Sequence, residues 1–181
     1  MKRQIKASIL GVGMLAIAAA SCTTGQQATE TISGLNPAKF DSTINGKKTA
    51  LYTLANKNGM EVCITNFGAR VVSLVVPDKN GNPTDVVLGY DNIAQYADLE
   101  NSPSDFGSSV GRYANRINQG KITVDGKEYQ LPQNNFGHCL HGGPTGWMYQ
   151  VYDAEQPNDS TLKFTIVSPD GDNNFPGTVT A

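Results

Sequence analysis

The stretch KITVDGKEYQL, residues 121–131, decides the fold class. Asp125-Gly126 fits a two-residue type I′ turn, which needs positive φ at both central positions. A hairpin about that turn places Ile122 opposite Tyr129, so apolar side chains meet across the two strands. Working outward, WMYQVYDAE and STLKFTIVSP read as two further strands around Pro157-Asn158-Asp159. Upstream, ALYTLAN runs to the Asn58-Gly59 turn and MEVCITN to Phe67-Gly68. RVVSLVVP then leads through DKNGNP to DVVLGY. The run Val71 to Val76 is expected to be buried on both faces. Only Asn92 to Leu99 has a helical pattern. The class is all-β.

Composition agrees with this reading. Hydrophobic residues make up 39% and charged residues 17% of the 181 residues, with 19 glycines and 9 prolines. That mixture suits a turn-rich β protein. A formal charge of −2 and a pI near 5.6, with no concentrated Lys/Arg footprint, argue against nucleic acid as a partner.

The N-terminus reads as a targeting segment. Lys2, Arg3 and Lys6 form a positive region ahead of the apolar run Ile9 to Ala20, which is too short to span a bilayer. AAASC then places small residues before Cys22, as in a bacterial lipoprotein signal, with Ala19 where leucine is usual. The expectation is a signal peptide over 1–21 and lipidation of Cys22. Residues 22–47, rich in Thr, Gln, Ser, Gly and Asn, are expected to form a flexible tether. The protein would then be exported, as a periplasmic or outer-membrane lipoprotein. Secretion without an anchor is the simpler alternative. Cys63 and Cys139 are expected to be free, half-buried thiols.

The folded region extends from residue 48 to residue 181. FPGTVTA begins another strand-like run that stops at Ala181, and such a strand would present an unpaired edge.

Two stretches carry chemistry. In FGSSVGRYANRINQGK, residues 106–121, Arg112, Asn115 and Arg116 supply the fixed donors that suit the hydroxyl and ring oxygens of a sugar. Surface pairing of the arginines with Asp or Glu is the competing reading. NNFGHCLHGG, residues 134–143, holds both histidines, His138 and His141, around Cys139. A zinc site needs three or four ligands, the chain has no second Cys/His cluster, and residues three apart on an extended segment point to opposite faces. No metal is expected. A thiol nucleophile at Cys139 would lack an orienting residue. By itself His141 reads as a structural histidine.

Taken together and in order, NGMEVCITNFGARVVSLVVPDKNG, DVVLGYDNIAQY, GRYANRI, VDGKEYQLPQNN and LHGGPTGW resemble the aldose 1-epimerase, or galactose mutarotase, family. The resemblance runs from about Thr49 to Ala181. It implies an antiparallel β-sandwich of the mutarotase type and the interconversion of α and β anomers of hexoses such as galactose and glucose. It implies sugar contacts from Asn115, Arg116 and His141, no cofactor, and a monomer. His138 has no role in the family pattern, and Arg112 fits a structural role as well as a ligand contact. Ring opening requires a general acid and a general base. The resemblance implies a histidine as general acid and a glutamate as general base and places both beyond Ala181, so this chain is expected to be an N-terminal half without catalysis of its own. A non-catalytic carbohydrate-binding module is the alternative.

Overall fold

The structure, a computed structural model, describes residues 31–181. The signal segment, Cys22 and the first part of the tether lie outside the described residues. Residues 31–47 do not form a tether. Pro37–Phe40 make a 3₁₀ turn capped by Asn36, whose side chain accepts the Ala38 N–H. Ser42–Ile44 (β1) then pairs with Lys47–Thr49 (β2) around Asn45-Gly46, both at positive φ. The physical reason is apolar anchoring. Leu35 and Phe40 sit in the main core with Cys63, Phe67, Val72, Ile93, Tyr96 and Val151. Thr49 fixes the turn by donating its hydroxyl to the Phe40 carbonyl at 2.7 Å.

The central sheet has four antiparallel strands in the order Leu51–Ala55 (β3), Glu61–Thr65 (β4), Arg70–Pro77 (β5) and Pro83–Asp85 (β6). β5 is not buried on both faces as its valines imply. Val72, Ser73 and Val75 are buried while Val71, Leu74 and Val76 are half-buried. A register shift between Cys63 and Ile64 puts the neighbours Val72 and Ser73 both inside. DVVLGY contributes only Asp85 to the sheet. The Asp85 carboxylate accepts the N–H groups of Leu74 and Val87 at 3.0 Å, which ends the ladder and leaves Val86 and Leu88 exposed.

Ile93–Ala97 (α1) is the one α-helix among the described residues, capped by Asn92 and buried through Ile93 and Tyr96. Arg116–Ile117 (β7) comes next. Lys121–Val124 (β8) and Lys127–Gln130 (β9) then form the hairpin expected from sequence, with Ile122 opposite Tyr129 and positive φ at Asp125 and Gly126. Cys139–Leu140 (β10) returns to pair with β7. Asp153–Asn158 (β11) pairs with Thr161–Thr165 (β12), and Val167–Ser168 (β13) with Val179–Thr180 (β14). The last strand is therefore paired along one side, and Ile166 and Ala181 exchange both backbone hydrogen bonds. A second, smaller core of Ile117, Leu131, Cys139 and Phe175 lies beneath the β7–β10 ladder. Cys63 and Cys139 are free and fully buried, one in each core, rather than half-buried.

Candidate functional site

The β7–β10 ladder is two residues long, with Ile117 opposite Cys139 and Arg116 opposite Leu140. Strand alternation sends Ile117 and Cys139 into the small core and leaves Arg116 on the exposed side. Asn115 and His141 flank the end of this ladder, both with left-handed backbone, φ 63° and 52°. They are locked together. The Asn115 N–H donates to Nδ1 of His141 at 2.9 Å, and the His141 N–H donates to the Asn115 carbonyl at 3.1 Å. The Asn115 side-chain oxygen accepts the Arg116 N–H at 2.8 Å. Arg116 in turn donates from Nε to Oδ1 of Asn135 at 3.0 Å. Asn135 is held by the tight turn over Phe136 and Gly137, closed by reciprocal backbone bonds between Asn135 and His138. Asn115, Arg116 and His141 thus form one cluster, with donors facing solvent.

Asp105 completes it. Its Oδ2 lies 4.0 Å from Nε2 of His141, and its Oδ1 accepts the Tyr149 hydroxyl at 3.2 Å. Burial, reinforced by the Asp105 charge and by this hydrogen bond, raises the Tyr149 phenol above its ordinary range. Asp105 also borders a cleft of about 410 Å³ lined by Leu88, Tyr90 and Phe106. Beneath it, Arg70 is fully buried. Its guanidinium donates to the carbonyls of Ser104 at 2.7 Å and Met148 at 3.1 Å and lies 4.8 Å from the centre of the Tyr96 ring. Burial pulls its pKa down, while the charges of Tyr96 and Asp105 oppose that fall.

The other candidates separate from the cluster. Among the described residues Arg112 makes no ion pair; it donates to Ser168 Oγ and to the carbonyls of Ser168, Pro169 and Pro176 at 2.6–3.0 Å. It ties the 168–176 loop to the β7 segment. Arg116 also bonds an amide oxygen rather than an acid, so the surface ion-pair reading fits neither arginine. His138 accepts the Gln119 N–H on Nδ1 at 3.1 Å and steadies the turn before β8. Among the described residues no group of three His, Cys, Asp or Glu side chains converges as a metal site would require. The glycines after His141 serve a protein contact. A Cβ on Gly142 would overlap the Gly111 carbonyl, and one on Gly143 the Asn173 side chain.

Sequence reading missed Asp105, Asn135, Tyr149 and Arg70. Arg70 carries a local signal, a lone charge opening a valine-rich strand. The others are assembled only by long-range contacts.

An all-β chain with antiparallel ladders and an Asn-Arg-His cluster beside a carboxylate belongs to the class of mutarotase-like domains. Comparison with known proteins specifies the family. The aldose 1-epimerase family model matches residues 50–181. Rat galactose mutarotase is 42% identical over 118 residues, covering 65% of this chain and 33% of the relative. The aldose 1-epimerase of Escherichia coli K12 is 34% identical over 137 residues, covering 76% of this chain and 39% of the relative. Among solved structures, the aldose epimerase homologue of C. elegans superimposes with a TM-score of 0.68 at 34% identity, over 73% of this chain and 40% of its own. Galactose 1-epimerase of Lactobacillus acidophilus gives 0.65 at 28% identity, over 77% and 40%. The chain belongs to the aldose 1-epimerase family, and it spans between three and four tenths of the length of these relatives.

Proposed function

We propose that the protein acts on aldoses as an aldose 1-epimerase, interconverting the α and β anomers of hexoses such as galactose and glucose. The observation that carries this is the locked Asn115–His141 pair with Arg116 beside it. Asn115 and Arg116 present amide and guanidinium donors, and His141 presents a ring nitrogen, to a single exposed cluster. Such groups orient a polyhydroxylated ring and stabilise charge developing on its oxygens when the anomeric hydroxyl loses its proton. The relatives bear names for this activity, and the family membership supports carrying it over. The general acid and base are assigned to no residue of this chain.

Polarimetry of freshly dissolved α-D-glucose and α-D-galactose with the purified full-length gene product tests the proposal. The expected result is mutarotation faster than in buffer, reduced at least tenfold by His141→Ala or Arg116→Ala. A gene product that changes the rate for neither sugar would overturn it.

A second reading, sugar binding without catalysis, is favoured by one observation. Both histidines have Nδ1 occupied by a backbone N–H, His141 from Asn115 and His138 from Gln119. Under this reading calorimetry detects saturable sugar binding while polarimetry detects no acceleration. We further infer export and anchoring through a lipidated Cys22, which radiolabelled palmitate incorporation, lost in Cys22→Ala, would test.

A further inference from the structure

His141 and Asp105 face each other across a gap too wide for a hydrogen bond, 4.0 Å from Nε2 to Oδ2. The hydrogen-bonding polarity of each side is fixed. Nδ1 of His141 already accepts the Asn115 N–H, so in the neutral ring the hydrogen sits on Nε2. An ionised carboxylate only accepts. One oxygen of Asp105 is taken by the Tyr149 hydroxyl, which leaves Oδ2 facing the gap. Arg70 holds a buried cation beneath, and among the described residues no carboxylate lies within ion-pair distance of it. Asp105 supplies part of its charge compensation through space. Both gap-facing side chains are reachable from solvent, at 24% exposure for His141 and 40% for Asp105.

A donor and an acceptor at this separation match one chemical group. An oxygen seated about 2.8 Å from both atoms subtends an angle of about 90° between them, within the range a hydroxyl accommodates. We infer that Asp105 and His141 jointly read one hydroxyl of the aldose. Its oxygen accepts from Nε2–H and its hydrogen goes to Oδ2 of Asp105. Asp105 is thereby a specificity-determining residue of the site. An ether oxygen at that ring position satisfies Nε2–H but leaves the carboxylate unpaired; a fluorine, only a weak acceptor, likewise brings no hydrogen to the carboxylate, and a hydrogen satisfies neither. The inference rests on the aldose-binding reading of the cluster.

The test uses methyl β-D-galactopyranoside, whose anomeric centre is fixed, with its monodeoxy and deoxyfluoro derivatives. Each is titrated by NMR into the isotopically labelled 181-residue chain and into Asp105→Asn. At one ring position, both the deoxy and the fluoro derivative are expected to bind the unmodified chain about 10- to 100-fold more weakly than the parent sugar. In Asp105→Asn, whose amide can donate as well as accept, the fluoro penalty at that position is expected to fall below about threefold. Fluoro derivatives that bind the unmodified chain within about twofold of the parent at every position would overturn the inference, and that arm needs no variant to fold. A fluoro penalty unchanged in Asp105→Asn would also overturn it. Failure of the parent sugar to bind the unmodified chain would instead sink the aldose-binding reading, and this inference with it.

Discussion

Asn115 and His141 hold each other through two hydrogen bonds that join backbone to ring and backbone to backbone, at 2.9 and 3.1 Å, with both residues in the left-handed region. Asparagine tolerates that conformation better than most residues, while β-branched residues resist it. Asn115→Gly is therefore expected to keep the backbone and stay within about 1 kcal/mol of the parent in urea unfolding. It removes the side-chain oxygen that accepts the Arg116 N–H, so sugar affinity should fall about tenfold or more. Asn115→Val should lose about 1–2 kcal/mol in the same unfolding experiment. Equal loss of stability in both variants would show that the backbone conformation is not the constraint.

Two glycines at similar φ separate conformational cost from steric cost. Gly126 has φ 77° and open space around its missing Cβ. Gly126→Ala should cost about 1 kcal/mol, from the left-handed backbone alone. Gly142 has φ 86°, and a Cβ there would overlap the backbone of Gly111 and Arg112. Backbone on both sides leaves no flexible side chain to yield. Gly142→Ala should cost about 3 kcal/mol or more and displace His141 beside it. Thermal or urea unfolding of the two variants checks the ratio. Comparable losses would mean that the approach of the two segments relaxes easily.

The contrast between these sites shows what could be read from sequence. The β8–β9 hairpin was legible down to its register, because Asp125-Gly126 states its own turn type locally and needs no partner elsewhere. β1–β2 carries the same kind of signal in Asn45-Gly46. The signal is weaker there because its surroundings are polar and its anchors, Leu35 and Phe40, are only two residues. Asn115, Arg116 and His141 were legible through family motifs, and the structure brings them together. Asp105 was not, since it reaches His141 and Tyr149 across 36 and 44 residues of chain, as tertiary packing alone dictates. The valines of β5 misled for a related reason. Residue type reports apolarity, but the shift at Cys63 and Ile64 decides which of them face the core.

Phe40 offers a direct check that the folded unit reaches upstream of residue 48. It is completely buried, packed in the main core, and its carbonyl accepts the Thr49 hydroxyl. Phe40→Ala should cost about 3–5 kcal/mol, the range for truncating a buried aromatic. Hydrogen exchange should quicken at β1 and β2 together with neighbouring core amides. A variant with parental unfolding behaviour would restore a tether through this segment.

Arg112 is predicted to act on stability rather than on the sugar. Its guanidinium spreads four hydrogen bonds over Ser168, Pro169 and Pro176 and lies 5.8 Å from the centre of the Phe175 ring. A lysine ammonium has three donors from a single atom and cannot reproduce that planar fork. Arg112→Lys should therefore lose about 1–3 kcal/mol. Hydrogen exchange should accelerate at Ile166 and Ala181, whose amides close the β13–β14 pairing. At temperatures where the variant remains folded, sugar affinity should stay within about threefold of the parent. A large affinity loss in a fully folded Arg112→Lys would place the residue in the sugar cluster instead.

Alkaline pH should unfold the protein through its buried acids. Burial raises the Cys63 and Cys139 thiols above their ordinary value of 9.0, and likewise raises the phenols of Tyr96 and Tyr152 above 10.0. For each group the folded state binds its proton more tightly than the unfolded chain does. The stability these groups contribute is thus complete below the unfolded pKa and is lost as pH rises toward the folded one. Urea midpoints should be flat from pH 7 to pH 8.5 and fall progressively above pH 9. Cys63→Ala with Cys139→Ala should flatten the first part of that fall, between pH 9 and 10, and leave the tyrosine part above it. Thiol reagents should meanwhile label the native protein at pH 7.5 far more slowly than the urea-unfolded chain, because thiolate and access both require opening of a core. Rapid native labelling at either cysteine would contradict the burial from which the alkaline prediction is built.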